Sequence, residues 1–122
     1  MRKSKKPKLS EFRLRIKLDI GDDAIGPGKA RLLRAIDERG SISAAARDMG
    51  INYRRAWFLL ETLNSALGQP VVVTTKGGSD GGGAALTEAG RAILMAYEKC
   101  VENTLKSTQD ILDTLQQSLS KK

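Results

Sequence analysis

Residues 40–64, GSISAAARDMGINYRRAWFLLETLN, constrain this chain more than any other stretch. Ser43 stands as a cap before Ala44, Ala45, Ala46, Arg47, Asp48 and Met49, a short helix of small side chains. Gly50 breaks that helix, and Asn52 caps a second one that opens with Tyr53, Arg54 and Arg55. Alanines let two helices approach closely. This is the layout of a helix-turn-helix, whose second helix offers its N-terminal turn to DNA. Two adjacent arginines at that turn suit phosphates and guanine edges.

The flanks fit the same architecture. Arg13–Ile20 alternates strictly: Leu14, Ile16, Leu18 and Ile20 share one face, and Arg13, Arg15, Lys17 and Asp19 the other. Period two predicts a half-buried strand. Gly21-Asp22-Asp23 reads as a turn, and Pro27 suits the start of a helix running to about Arg39. Its inner stripe is Leu32, Leu33 and Ile36, and Gly40 ends it. The helix pair follows at Ile42–Met49 and Asn52–Leu67. In the second of these, Ala56, Leu60, Leu63 and Leu67 recur at helical spacing and face inward. That leaves Tyr53, Arg54 and Trp57 on or near the outer side, with Arg55 at the flank.

Val71–Thr75 (VVVTT) is β-branched throughout, a strand signal. Lys76–Gly83 is a glycine loop, and Ala84-Ala85-Leu86 can pair back on the strand. Strand, loop and strand after the second helix make a wing, to which Arg13–Ile20 can add a third strand. Thr87 then caps a long helix in which Ile93, Tyr97, Val101, Leu105, Thr108, Leu112, Leu115 and Leu119 recur at spacings of three and four. That stripe is too narrow and too long for so small a core. Its expected burial site is a partner helix in a parallel or antiparallel homodimer. The alternative is that it folds back on its own domain.

Charge points the same way. Residues 1–60 hold 15 Lys and Arg against 7 Asp and Glu, and residues 61–122 hold 6 against 7. The positive field therefore travels with the helix pair and the tail, as a polyanion binder needs. The basic tail Met1–Lys8 reads as disordered, either an arm for the DNA backbone or a solvated end. No secretory apolar region follows it, and no run is long enough to span a bilayer. One cysteine, Cys100, excludes an internal disulfide and fits the cytoplasm. It reads as an apolar filler beside the dimer stripe.

Several chemistries lack their residues. There is no histidine, so the usual general base and the commonest metal ligand are missing. Asp37, Glu38 and Asp48 lie near arginines and read as solvated or ion-paired carboxylates. The glycine loop is followed by Ala84 and Ala85 rather than the Lys-Ser/Thr of a nucleotide-binding loop. It is a hairpin tip, or a wing whose Lys76, Gly77 and Gly78 meet the DNA backbone. Partial exposure of the Tyr53–Trp57 pair would let it touch sugar, a thymine methyl or a dimer partner.

The stretches GSISAAARDMGINYRRAW, LNSALGQPVV and KGGSDGGGAALTEAGRAIL, with the lead-in IGPGKARLLRAI, resemble one family. They are similar to the DNA-binding domain of the ModE-type, molybdate-responsive transcription regulators, themselves similar to LysR-type winged helices. The resemblance covers roughly residues 12–105, and its GGxxGGGAxLTxxG run is specific. It implies a homodimeric, sequence-specific DNA binder acting on transcription. It points to Ser43, Asn52, Tyr53, Arg54 and Arg55 in the helix pair, and to Lys76, Gly77 and Gly78 in the wing. Full-length members add C-terminal molybdate-binding domains. The residues up to Lys122 offer no such pocket, so molybdate binding is not expected within this chain.

The expected fold is therefore mainly α with a small β-sheet: a winged helix-turn-helix plus a long C-terminal dimerisation helix. The expected layout is a disordered basic tail over residues 1–11, the winged helix-turn-helix over 12–87 and the dimerisation helix over 88–122. The expected function is regulation of transcription by a cytoplasmic, non-enzymatic homodimer without cofactor, its residues 52–67 in the major groove and 76–83 on the backbone. The alternative is a protein-interaction adaptor that keeps the fold but not DNA binding. Candidate DNA-binding residues are Ser43, Asn52, Tyr53, Arg54, Arg55, Trp57, Lys76, Gly77 and Gly78.

Overall fold

Pro27 fixes the backbone for a first helical turn and donates no hydrogen bond, which that position does not require. From it, α1 runs over Pro27–Arg39 and buries Ala30, Leu32, Leu33 and Ile36. Gly40 ends it in the left-handed conformation (φ 66°), its amide donating to the Ile36 carbonyl. Helix α2 spans Ile42–Met49 and α3 spans Tyr53–Leu67. The computed structural model describes residues 12–76 and 83–120. The basic tail, the wing tip with Gly77 and Gly78, and the last two residues lie outside them.

Three alanines, Ala44, Ala45 and Ala46, are all buried in α2 and let it lie close to α1 and α3. The turn between α2 and α3 is a Schellman motif. Gly50 is left-handed (φ 71°), its amide donates to Arg47, and the Ile51 amide reaches back to Ala46. Asn52 then caps α3, its Oδ1 accepting from the Arg55 amide at 2.7 Å. Ala56, Leu60 and Leu63 form the buried stripe of α3, and Leu67 is half-buried.

The cap of α2 differs from expectation. Ser41, not Ser43, accepts from the Ala44 amide at 3.1 Å. Buried Ile42 is drawn into the helix as its first residue, which moves the cap two positions back. Ser43 thereby becomes an exposed residue of the first turn.

The wing is an antiparallel pair, β3 (Val72–Thr75) with β4 (Gly83–Leu86), in the register Val72 with Leu86 through Thr75 with Gly83. Its root is held to the helices, because the Ala84 amide donates to the Gly40 carbonyl at 2.9 Å. The alternating N-terminal run does not join it. Leu18–Ile20 (β1) pairs instead with Asp23–Ile25 (β2) around Gly21 (φ 61°), as a separate two-stranded sheet. Asp23 thus belongs to a strand rather than to the turn. Alternation fixes a strand's faces but not its neighbour, and the nearest complementary edge is five residues away. Upstream, Leu14 and Ile16 lean over a groove beside α1 and α4.

Helix α4 spans Glu88–Ser120. Thr87 caps it, its Oγ1 accepting from the Gly90 amide at 3.0 Å. At about 1.5 Å per residue it is about 50 Å long. Gly90, Leu94 and Tyr97 are buried against the domain, with Ile93 and Val101 half-buried. Two side-chain links tie this end down. The Tyr97 hydroxyl donates to the Ile16 carbonyl, and Arg34 of α1 bridges Glu98 of α4 and Asp37, which also pairs with Arg91. Farther along, Leu105, Ile111, Leu115 and Leu119 are all exposed. Among the described residues, no helix is long and apolar enough to cross a membrane.

Candidate nucleic-acid interface

The buried stripe of α3 decides what its other side presents. Counting about 100° per residue, Arg54 lies roughly 150° from the centre of Ala56, Leu60 and Leu63, and Phe58 roughly 165°. Arg54, Arg55 and Phe58 are all exposed. Among the described residues neither arginine has a carboxylate partner, whereas Arg34, Arg39 and Arg91 all do. The guanidinium of Arg55 stacks over the Phe58 ring, 5.2 Å from its centroid. The amino end of α3 therefore presents two exposed cations that no described carboxylate neutralises.

Phe58 was not among the candidate residues, because an apolar side chain in a helix is ordinarily read as core. The angular count reveals it, since its position is opposite the residues that are core.

Tyr53 and Trp57 flank this face on the wing side. Their rings meet edge to face, 6.4 Å apart at 77°. Tyr53 is exposed and Trp57 half-buried, packed on the core, so partial exposure of the pair holds. They line a cleft of about 210 Å³ between α3 and the wing. Ser41 and Ser43 from the start of α2, and Thr74, Thr75 and Lys76 from the wing, complete it. Hydroxyls, an ammonium group and a helix N-terminus together suit an anionic oxygen. The fold thus gathers Ser43, Tyr53, Trp57 and Lys76 in one place. Asn52, exposed beside them, caps α3 through its Oδ1 and so sets the helix start. Gly77 and Gly78 fall outside the described residues.

A larger cavity, about 450 Å³, lies between the N-terminal segment, α1 and α4. Of its polar lining groups, Arg34 pairs with Glu98, Asp48 with Arg39 and the Tyr97 hydroxyl with Ile16, while Arg31 and Glu38 are exposed. Burial pushes the Tyr97 phenol above the usual tyrosine range, against the opposing charge of Arg15. Asp37 and Asp48 are ion-paired, as expected, and Glu38 is exposed. Cys100, expected as an apolar filler, is exposed.

Comparison with known proteins places this geometry. Residues 28–91 match the model of the bacterial regulatory helix-turn-helix proteins of the lysR family. The chain is similar to the molybdenum-pterin-binding protein MopB of Rhodobacter capsulatus, 47% identical over 60% of this chain and 27% of that protein. The molybdenum transport protein ModE of Azotobacter vinelandii is 37% identical over 82% of this chain and 36% of its own length. The DNA-binding transcriptional dual regulator ModE of Escherichia coli K12 is 38% identical over 59% and 28%. The chain spans about a third of the length of these relatives. Among solved structures, the CbnR_DBD–DNA complex superposes with a TM-score of 0.56 at 20% identity, over 72% of this chain and 95% of that one. This establishes the fold as a winged helix-turn-helix followed by a long helix. The chain belongs to the lysR family of bacterial regulatory helix-turn-helix proteins.

Proposed function

We propose that this protein binds double-stranded DNA sequence-specifically as a cytoplasmic homodimer and thereby regulates transcription. Residues 12–87 are the DNA-binding unit, and residues 88–119 carry the dimer contact. The observation that carries the reading is the amino end of α3, where Arg54 opposite the buried stripe and Arg55 at its flank stand exposed, with no carboxylate partner among the described residues. Arg54 reads a base edge in the major groove, and Arg55 meets a base or the backbone from the flank. The cleft of Ser43, Tyr53, Trp57 and Lys76 seats a phosphate and fixes the register, which positions the protein without specifying sequence. Gly77 and Gly78, outside the described residues, are assigned to the same DNA-backbone contact.

The dimer rests on the exposed distal stripe of α4. Leu105, Ile111, Leu115 and Leu119 have no cover among the described residues, and a partner helix supplies it. Thr108 interrupts the stripe at little cost. Its hydroxyl donates to the Thr104 carbonyl at 2.9 Å, so it enters an apolar seam already satisfied. We assign no molybdate site to this chain, and no catalytic role.

Fluorescence anisotropy on mixed duplex fragments at 50 and 200 mM salt tests the reading. With two phosphates neutralised per subunit, affinity should fall on the order of a hundredfold between the two. No binding at 50 mM salt would leave the fold as a protein-interaction adaptor.

A further inference from the structure

Phe58 is an aromatic side chain left 55% exposed at the centre of the outward face of α3. The Arg55 guanidinium stacks over its ring, 5.2 Å from the centroid. Exposing a phenylalanine in water forgoes the stabilisation that burial would supply. Such a position calls for an occupant that covers the ring when the protein is at work.

Resting on the DNA reading above, the geometry points to Phe58 as a specificity-determining residue that packs on the 5-methyl group of a thymine in the major groove. Three features select this occupant. Phe58 lies one helical turn after Arg54 on the same side, about 6 Å along the axis, so it faces a base one or two pairs away from the one Arg54 reads. It is bracketed by Arg54 and Arg55, two exposed cations that suit a polyanion. The thymine methyl is also the apolar group that a major groove displays to such a ring. Glu61 follows on the same face and is exposed. Its carboxylate keeps phosphates away one turn farther on, which ends the contact at Phe58. Stacking over the ring also holds Arg55 in place, so Phe58 orients a cation as well as reading a base.

The test replaces thymines by deoxyuridine, one at a time, in a half-site chosen by the chain of residues 1–122 from random duplexes. Deoxyuridine removes only the methyl group. For the unmodified protein, one thymine per half-site should prove sensitive, its replacement weakening binding about fourfold, the worth of one buried methyl. Phe58→Ala should bind the thymine site more weakly and lose that sensitivity, while Phe58→Leu keeps part of it. If Phe58→Ala keeps the same affinity and the same deoxyuridine profile, the inference is overturned while DNA binding stands. Failure of the unmodified chain to select any duplex overturns the DNA reading, and this inference with it.

Discussion

Gly90 sits in the first turn of α4, where glycine is ordinarily a weakness. Replacing a helical glycine by alanine stabilises by about 0.5–1 kcal/mol when the site is open. Here a Cβ would stand 2.0 Å from the Val71 carbonyl oxygen and 2.9 Å from its carbon. Both are backbone atoms, and the segment they belong to is pinned. The Thr87 amide donates to that same Val71 oxygen at 3.0 Å, the Thr87 hydroxyl to Pro70 at 2.7 Å, and the Val71 amide to Asn64 at 2.8 Å. Relieving the clash means moving the helix start or the wing root by more than 1 Å, roughly the shortfall from ordinary contact. That breaks one or two of these bonds at about 1 kcal/mol each and adds overpacking strain of about 1–3 kcal/mol. Gly90→Ala should therefore lose about 2–4 kcal/mol and lower Tm by about 10 °C. Thermal and urea unfolding followed by circular dichroism, at one fixed protein concentration, measures it. Gly28→Ala is the control: in α1 a Cβ at that position meets nothing within 4 Å, so stability should hold or rise. A Gly90→Ala protein as stable as the parent would refute the argument that this close approach requires glycine.

Other substitutions separate the parts of the account. Arg54→Ala should relax base preference by about 1–3 kcal/mol at one position per half-site, whereas Lys76→Ala should weaken all sequences alike, both read by competition binding. Leu115→Asp should give a monomer in sedimentation equilibrium with the helical content of the domain retained, because this residue is exposed and distant from the core. Tyr97→Phe should cost about 1 kcal/mol near neutral pH through the lost bond to Ile16. Because burial raises the Tyr97 phenol, the folded state keeps this proton where the unfolded chain sheds it. Its contribution is intact below the ordinary tyrosine value and is lost as pH rises through the folded one. Stability of the parent should accordingly fall more steeply above about pH 10 than that of Tyr97→Phe.

The helical frame is legible because its punctuation is chemical. Gly40, Gly50 and Gly68 each occupy the left-handed position that ends a helix, and Asn52 supplies a capping oxygen. Strand pairing is less legible, since the alternation of Arg13–Ile20 says which side chains share a face but nothing about the edge they meet. In SISAAA two serines compete for one cap, and burial of Ile42 decides it, which is a tertiary effect. The interface divides the same way. Arg54 and Arg55 stand out by charge alone, but the cleft joining Ser43, Tyr53, Trp57 and Lys76 depends on how the wing root docks on the Gly40 corner. The stripe on α4 is visible from spacing, yet only packing shows where it divides. Leu94 and Tyr97 go to the domain's own core, and Leu105, Ile111, Leu115 and Leu119 stay exposed.

The central claim is that the amino end of α3 reads base pairs from a two-fold assembly. Selecting bound duplexes from a random pool, with the parent and Arg54→Ala side by side, tests this most directly. The expected result is a near-palindrome enriched by the parent, with half-sites about 34 Å or a multiple apart, and degraded at one position per half by the variant. Enrichment of an asymmetric site, or of the same site at the same affinity by both proteins, would contradict it.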